Sequence, residues 1–140
     1  NEPAFSDKET FLHAIRFKSS EDVEIAFNKT DRTVGNGINL SDTDNPKVHN
    51  NTITNWWHGG IEFKRNANIY VASNTIVGVG NKGVTANMRN DHVSGGTAGI
   101  LITGTATGGD SSLEAPHSGA VVERNIIRNA PGGGIKIEDQ

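Results

Sequence analysis

Cysteine, aromatic side chains and long apolar runs are all scarce in this sequence. No Cys occurs among the 140 residues, which excludes disulfides and Cys-ligated metals. No stretch approaches the ~18 consecutive apolar residues of a membrane span, and no signal peptide is visible. The 13 Lys and Arg residues are outnumbered by 16 Asp and Glu. We therefore expect neither a membrane span nor a nucleic acid partner, which usually requires a basic protein.

What the sequence has instead is a repeat with a period of 23 residues. A tetrad of alternating hydrophobic and polar residues starts at Ile15, Ile38, Ile61 and Val84, and a further copy starts at Ile135. An Asn stands ten residues before four of these copies, and a β-branched aliphatic stands three residues before each Asn. These Asn are Asn28, Asn51, Asn74 and Asn125, and the aliphatics are Ile25, Val48, Val71 and Val122.

Each repeat holds three short apolar strips separated by Gly and Asn corners. A two-residue alternation predicts strands rather than helices, and the lack of helical segments between the strips disfavours βαβ units. We predict an all-β parallel β-helix with about 23 residues and three short strands per coil, in which neighbouring coils lie ~4.8 Å apart. Ile15, Ile38, Ile61 and Val84 would then stack inward. The Asn column would lie at a corner, where Asn tolerates left-handed backbone and stacked amides bond one another.

The Asn-Xaa-Ile corners and the Gly-Ile-Xaa-hydrophobic strands resemble those of the pectin-lyase-like right-handed parallel β-helix superfamily. The resemblance covers most of the chain and specifies the fold strongly but the activity weakly. That superfamily includes polysaccharide lyases, mannuronan epimerases, polygalacturonases and phage tailspikes. The resemblance therefore implies a carbohydrate-active protein that is extracellular or lies at the cell surface. The Asp-Pro-His signature of mannuronan epimerases is not apparent, which disfavours that activity.

The period breaks after Val84, because the next regular tetrad starts only at Ile135. We expect an excursion over about 88–118 that contains one added strand at 99–102. The chain is expected to form a single β-helix domain over 1–140 or, since it begins with Asn1, a segment of a longer β-helix. Its C-terminal edge would offer unpaired backbone groups to further coils or to another chain.

The second and fourth residues of each tetrad should point outward and form a polar face rich in basic residues. Such a face suits an extended, acidic polysaccharide, although a plain solvated sheet face is the alternative. Trp56 is the candidate for stacking on sugar rings, because Trp57 is expected to point inward. The candidate substrate-binding residues are Arg16, Asn39, Trp56, Glu62, Arg89 and His92.

The residue types favour β-elimination over hydrolysis if the protein is an enzyme. Elimination from a uronic acid needs a cation at the sugar carboxylate and a base for the adjacent proton. Lys64 or Arg65 would supply the cation and His58 the base, unless His58 only bonds a corner. Hydrolysis needs two carboxylic acids, and Glu62 has no acidic partner in its outward column.

Two further hypotheses, a Ca²⁺ site and a non-catalytic role, are also compatible with the sequence. Asp42 and Asp44 could ligate Ca²⁺, which takes oxygen ligands, but an Asp-rich turn before Pro46 explains them equally well. The same coils could also form a non-catalytic segment, similar to a tailspike or an adhesin, that binds glycans or spaces other domains. A face without a tight acid–base cluster would favour this second class.

Overall fold

The computed structural model describes residues 13–33, 35–56, 58–78, 98–104 and 119–138, and their regular secondary structure consists of strands in three parallel sheets. In order across the first sheet, the strands are β1 (Ile15–Glu21), β4 (Asn36–Asp44), β7 (Gly59–Lys64), β10 (Ile100–Thr103) and β13 (Ile135–Glu138). The second sheet contains β11 (Val121–Glu123), β8 (Tyr70–Ala72), β5 (Lys47–His49) and β2 (Glu24–Ala26). The third contains β12 (Ile126–Arg128), β9 (Thr75–Val77), β6 (Thr52–Trp56) and β3 (Lys29–Thr33).

The chain visits the three sheets in turn, and each circuit is one coil of the predicted parallel β-helix. Consecutive strands of the chain lie in different sheets, so every pairing joins like positions of neighbouring coils. The register confirms that Ile15, Ile38 and Ile61 stack in one file. Among the described residues, no helix has the length and apolarity needed to cross a membrane.

The fourth rung of the first sheet differs from the prediction. Ile100, rather than Val84, pairs with Ile61 on one side and with Ile135 on the other. The strand predicted as an addition to the 88–118 excursion is therefore part of the main sheet, and the residues that exceed the regular period precede and follow it in the sequence. Residue 84 and most of that excursion fall outside the described residues. Spacing misled here because loops lengthen at little cost in free energy, so a tetrad with the right interval need not be the rung.

The core is a narrow column of aliphatic side chains between the three sheets. Ile38, Ile61 and Ile100 are each fully buried, and Leu40, Phe63 and Ile102 stack beside them. Removing each large side chain from water stabilises the coils by ~1.5–3 kcal/mol. The third sheet faces them with Ile53 and Ile76, and the second with Val48 and Val71.

The predicted ladder of Asn amides runs along the corner between the second and third sheets. Asn51 Nδ2 donates to Asn74 Oδ1 at 3.0 Å, and Asn74 Nδ2 donates to Asn125 Oδ1 at 2.9 Å. The same amides donate to carbonyls of the preceding coil, such as that of Ile25 at 2.8 Å. The expectation of left-handed backbone at these Asn is wrong. The residue just before each one has positive φ instead: Phe27, Asn50, Ser73 and Arg124.

A file of Gly residues precedes the inward Ile of the first sheet. A Cβ at Gly60 would lie 2.5 Å from Ile76 Cγ2 and 2.4 Å from the carbonyl oxygen of Gly99. A Cβ at Gly37 would lie 2.3 Å from Ile53 Cγ2. Two consecutive residues thus face the interior at each of these places, and only Gly leaves room for the third sheet.

Gly60→Ala should lower the free energy of unfolding by about 1–3 kcal/mol, because its methyl group has no space in the packed interior. Gly134→Ala is the matched control from the same file, since a Cβ there meets nothing within 4 Å. Urea unfolding followed by circular dichroism compares the two variants. Equal losses of stability in both would contradict this account of the Gly file.

Candidate functional site

The outward positions of the first sheet form two files along the axis of the coils. Arg16 and Lys18 on β1 are exposed, whereas Asn39, Glu62 and Leu101 are only 3%, 3% and 4% exposed. The face is therefore open at the first rung and buried at its centre. One file contains Arg16, Asn39, Glu62, Leu101 and Lys136, and the other contains Lys18, Ser41, Lys64, Thr103 and Glu138.

Glu62 is a buried carboxylate that three neighbouring side chains satisfy. Its Oε2 accepts hydrogen bonds from Asn39 Nδ2 at 2.8 Å and from Asn36 Nδ2. Its Oε1 lies 3.2 Å from Lys64 Nζ, and the Lys64 side chain keeps 24% of its surface exposed. Asn36 reaches this carboxylate because Gly37 turns inward and leaves Asn36 on the outer side. Burying a carboxylate is costly unless it is paired and hydrogen-bonded, so these contacts hold the charge in place.

His13 adds a titratable group beside this carboxylate, and we call His13, Asn36, Asn39, Glu62 and Lys64 the Glu62 cluster. The backbone N–H of Asn36 donates to His13 Nδ1 at 3.0 Å. Burial lowers the pKa of His13, and the nearby Glu62 charge opposes that effect only in part. Because a backbone N–H can only donate, the neutral ring carries its proton on Nε2.

His13 was absent from the residues predicted from the sequence. It stands two residues before Ile15, as Asn36 stands two residues before Ile38. Aligning the coils two positions further upstream would have brought both residues into the candidate site.

Arg65, predicted with Lys64 as a candidate for the catalytic cation, forms a two-point ion pair with Asp42. Arg65 Nη2 lies 2.7 Å from Asp42 Oδ2, and Nε donates to Oδ1. The hydrogen bond from Arg65 lowers the pKa of Asp42 despite the opposing effect of burial. Both residues have left-handed backbone, with φ of 50° and 53°, at equivalent corners of successive coils. The pair fixes this corner, and the guanidinium is engaged before any substrate arrives.

The two predicted calcium ligands are engaged in corner contacts. Both oxygens of Asp42 face the Arg65 cation, an arrangement that does not fit a Ca²⁺ ligand. Asp44 Oδ1 accepts from the Asn45 backbone N–H at 2.9 Å and from Asn68 Nδ2 at 3.1 Å. Over the described parts of the chain, no group of three or more His, Asp or Glu residues is placed to hold a metal. The Ca²⁺ hypothesis remains a prediction from the sequence.

Trp56 is buried, with 1% of its surface exposed, so the prediction of an exposed indole at this position is wrong. The error arises at Asn55, whose left-handed backbone at φ 53° interrupts the two-residue alternation of β6. After this interruption, Trp56 faces the core together with Ile53. Trp57 lies outside the described residues.

The remaining predicted residues keep their roles as predictions. His58 is half-buried, and its backbone N–H donates to the carbonyl of Gly35 at 3.3 Å. Arg89 and His92 lie outside the described residues. The structure brings Asn39, Glu62 and Lys64 together around one carboxylate, and it places Arg65 with Asp42.

Asp42→Asn should lower the free energy of unfolding at pH 7 by about 1–3 kcal/mol, because it removes a charge-assisted two-point contact with Arg65. The pKa of Asp42 in the folded state lies below 3.8, the ordinary value for an Asp side chain. The stabilisation that the ionised Asp42 carboxylate provides is therefore present above pH 3.8. It disappears as the pH falls through the pKa of Asp42 in the folded state.

Urea unfolding of the wild type and the variant at pH 7 and pH 2.5 measures this difference. Glu21→Gln, which removes an exposed carboxylate in the first coil, is the control and should change stability little at either pH. An Asp42→Asn effect that persists unchanged at the lower pH would contradict the role of the ion pair.

Comparison with known proteins gives one match. A family model described as a right-handed β-helix region matches residues 9–98. This range contains the strands β1 to β9, which form the first three coils. Neither the curated proteins nor the solved structures contain a significant match.

Proposed function

The chain belongs to the right-handed β-helix family, and from this premise we propose that it binds an extended, carboxylate-bearing polysaccharide on the outer face of its first sheet, at the first coil, where that face is open to solvent. The observation that carries the proposal is the pair of exposed cations, Arg16 and Lys18, at the outward positions of β1. Neither side chain forms a salt bridge with a residue that the structure describes. Their charges are therefore available to an anionic ligand.

Further support comes from the way in which the coils space these cations. Lys18 and Lys64 belong to one file with Ser41 between them, so they are two rungs or roughly 10 Å apart. Two cations at this distance suit a polymer that carries carboxylates along its length. Because Lys64 shares its charge with the buried Glu62 at 3.2 Å, Arg16 and Lys18 supply most of the attraction.

β-Elimination is the second candidate function, and the Glu62 cluster favours it. Arg16 and Lys64 provide positive charge near His13, as the neutralisation of a uronate carboxylate requires. The Nε2–H of the neutral His13 ring would donate a hydrogen bond to the departing glycosidic oxygen, and solvent water would supply the proton that this oxygen takes up as its bond to the sugar breaks. The base would be His58, as the sequence predicts. Hydrolysis is less well supported, because the groups that contact Glu62 are two amides and an ammonium rather than a second acid.

The double variant Arg16→Ala/Lys18→Ala should bind polygalacturonate or alginate roughly tenfold more weakly than the wild type at low ionic strength, and added salt should narrow the difference. Calorimetric titration measures the affinity. Lys29→Ala removes an exposed Lys from the third sheet and is the matched control, with unchanged binding expected. Equal affinity in the double variant and the wild type would overturn the proposed function.

Incubation with pectate, alginate and chondroitin sulfate, with and without added Ca²⁺, separates a lyase from a binding protein. Elimination leaves an unsaturated uronate end that absorbs in the ultraviolet, whereas binding leaves none. If product forms, loss of turnover in His58→Gln would support its assignment as base. Binding without product in every case would favour the non-catalytic alternative, a glycan-binding or spacer segment.

A further inference from the structure

Three rings lie side by side across the outer surface of the second sheet, on successive coils. The ring centroids of Phe27 and His49 are 5.9 Å apart with an interplanar angle of 85°, and those of His49 and Tyr70 are 6.5 Å apart at 61°. We call these three residues the ring file. Phe27 is 79% exposed, so the file presents apolar surface to solvent on a side of the coils other than the first sheet.

Side-chain hydrogen bonds fix two of the three rings. His49 Nε2 lies 2.8 Å from Glu24 Oε1, and His49 Nδ1 lies 2.9 Å from Asn50 Oδ1. These bonds, that to Glu24 above all, raise the pKa of His49. The Tyr70 hydroxyl donates a hydrogen bond to Glu123 Oε1, and the two oxygens are 3.4 Å apart. The orientation of both rings is therefore set before any ligand arrives.

Phe27 is an unusual residue for its place in the fold. Its backbone is left-handed at φ 58°, and the equivalent corners of the other coils carry the polar residues Asn50, Ser73 and Arg124. Left-handed backbone costs roughly 1–2 kcal/mol for a residue with a Cβ, and an exposed ring recovers little of this by burial. Stability alone therefore gives no reason for Phe27.

Small residues occupy the strand position of His49 in the two neighbouring coils. Ala26 and Ala72 flank His49 in the neighbouring coils of the second sheet, and the rings of Phe27 and Tyr70 approach the imidazole across these short side chains. Carboxylates lie at both ends, and their side chains are 63% exposed at Glu24 and 44% exposed at Glu123.

We propose that the ring file is a second binding surface, and that its ligand is a neutral oligosaccharide. Aromatic faces stack on the apolar C–H face of a pyranose ring, and the free carboxylate oxygens of Glu24 and Glu123 accept hydrogen bonds from sugar hydroxyls. Lys47 lies beside Glu24 in the next coil, and Arg124 forms an ion pair with Glu123 at 2.6 Å; this balance of charge suits an uncharged ligand rather than a uronate. This inference is independent of the proposed function, because it uses other residues, another sheet and another charge class of ligand.

The test is a titration of the full chain with cellohexaose, xylohexaose and mannohexaose, followed by NMR shifts of the His49 and Tyr70 ring signals. We expect saturable shifts with at least one of these probes. Phe27→Gly removes the ring and accepts left-handed backbone, so the variant should fold and bind that probe roughly fivefold more weakly or worse. Phe27→Trp retains an aromatic face and should retain binding.

Arg32→Gly is the matched control, because Arg32 is an exposed residue of the same coil with left-handed backbone at φ 57°. It should leave the affinity for the neutral probe unchanged, and Phe27→Gly should leave polygalacturonate binding unchanged. The proposal is overturned if none of the three probes shifts the ring signals, or if Phe27→Gly binds as the wild type does. Loss of neutral-probe binding in Arg16→Ala/Lys18→Ala would also overturn it, since both ligands would then share the first sheet.

Discussion

Backbone hydrogen bonds between parallel strands hold like positions of successive coils over one another, and all other contacts of this molecule depend on that register. The side-chain ladders follow from it, because a residue meets its counterpart at the same distance in each coil. Asn51 and Asn74 satisfy each other and the corner carbonyls in this way. The Gly file and the inward Ile file obey the same constraint, since the third sheet presses on the first at an equivalent point in each coil. A thin core is sufficient for such a molecule, because each coil is buried mainly by its two neighbours.

Most of the fold could be predicted from the sequence. A constant register between coils makes like residues recur at a constant interval along the chain, and this interval is visible in the sequence. The inward files, the three strands per coil and the Asn ladder all followed from the positions of Ile, Gly and Asn. Two errors have a common cause, which is that spacing along the chain is not spacing in the structure. Val84 has the correct interval, but Ile100 occupies the rung. The two-residue alternation predicts that Trp56 points outward, but the left-handed backbone of Asn55 turns the Trp56 side chain inward.

The candidate site was less predictable, because it depends on which polar groups meet across coils. The alternation of inward and outward residues placed Glu62 and Lys64 on the outer face of the first sheet. It could not show that the Glu62 carboxylate is buried and hydrogen-bonded to two Asn amides. Arg65 and Asp42 form an ion pair between successive coils, although the sequence predicted separate roles for the two residues. His13 gains its significance only from the charge of a residue two coils away. Charge and burial at such sites are properties of the stack and not of any single repeat.

The position of β10 has a consequence for how this architecture can vary. Both lengthened connections of the chain meet β10, one before Ile100 and one after Thr103, while the strands of the second and third sheets keep their partners across the gap. Residues can therefore be added at these corners without changing how the strands of neighbouring coils pair. Since both of these corners border the first sheet, a coil of this architecture can gain residues beside that sheet while the strands of the other two sheets keep the same register before and after them.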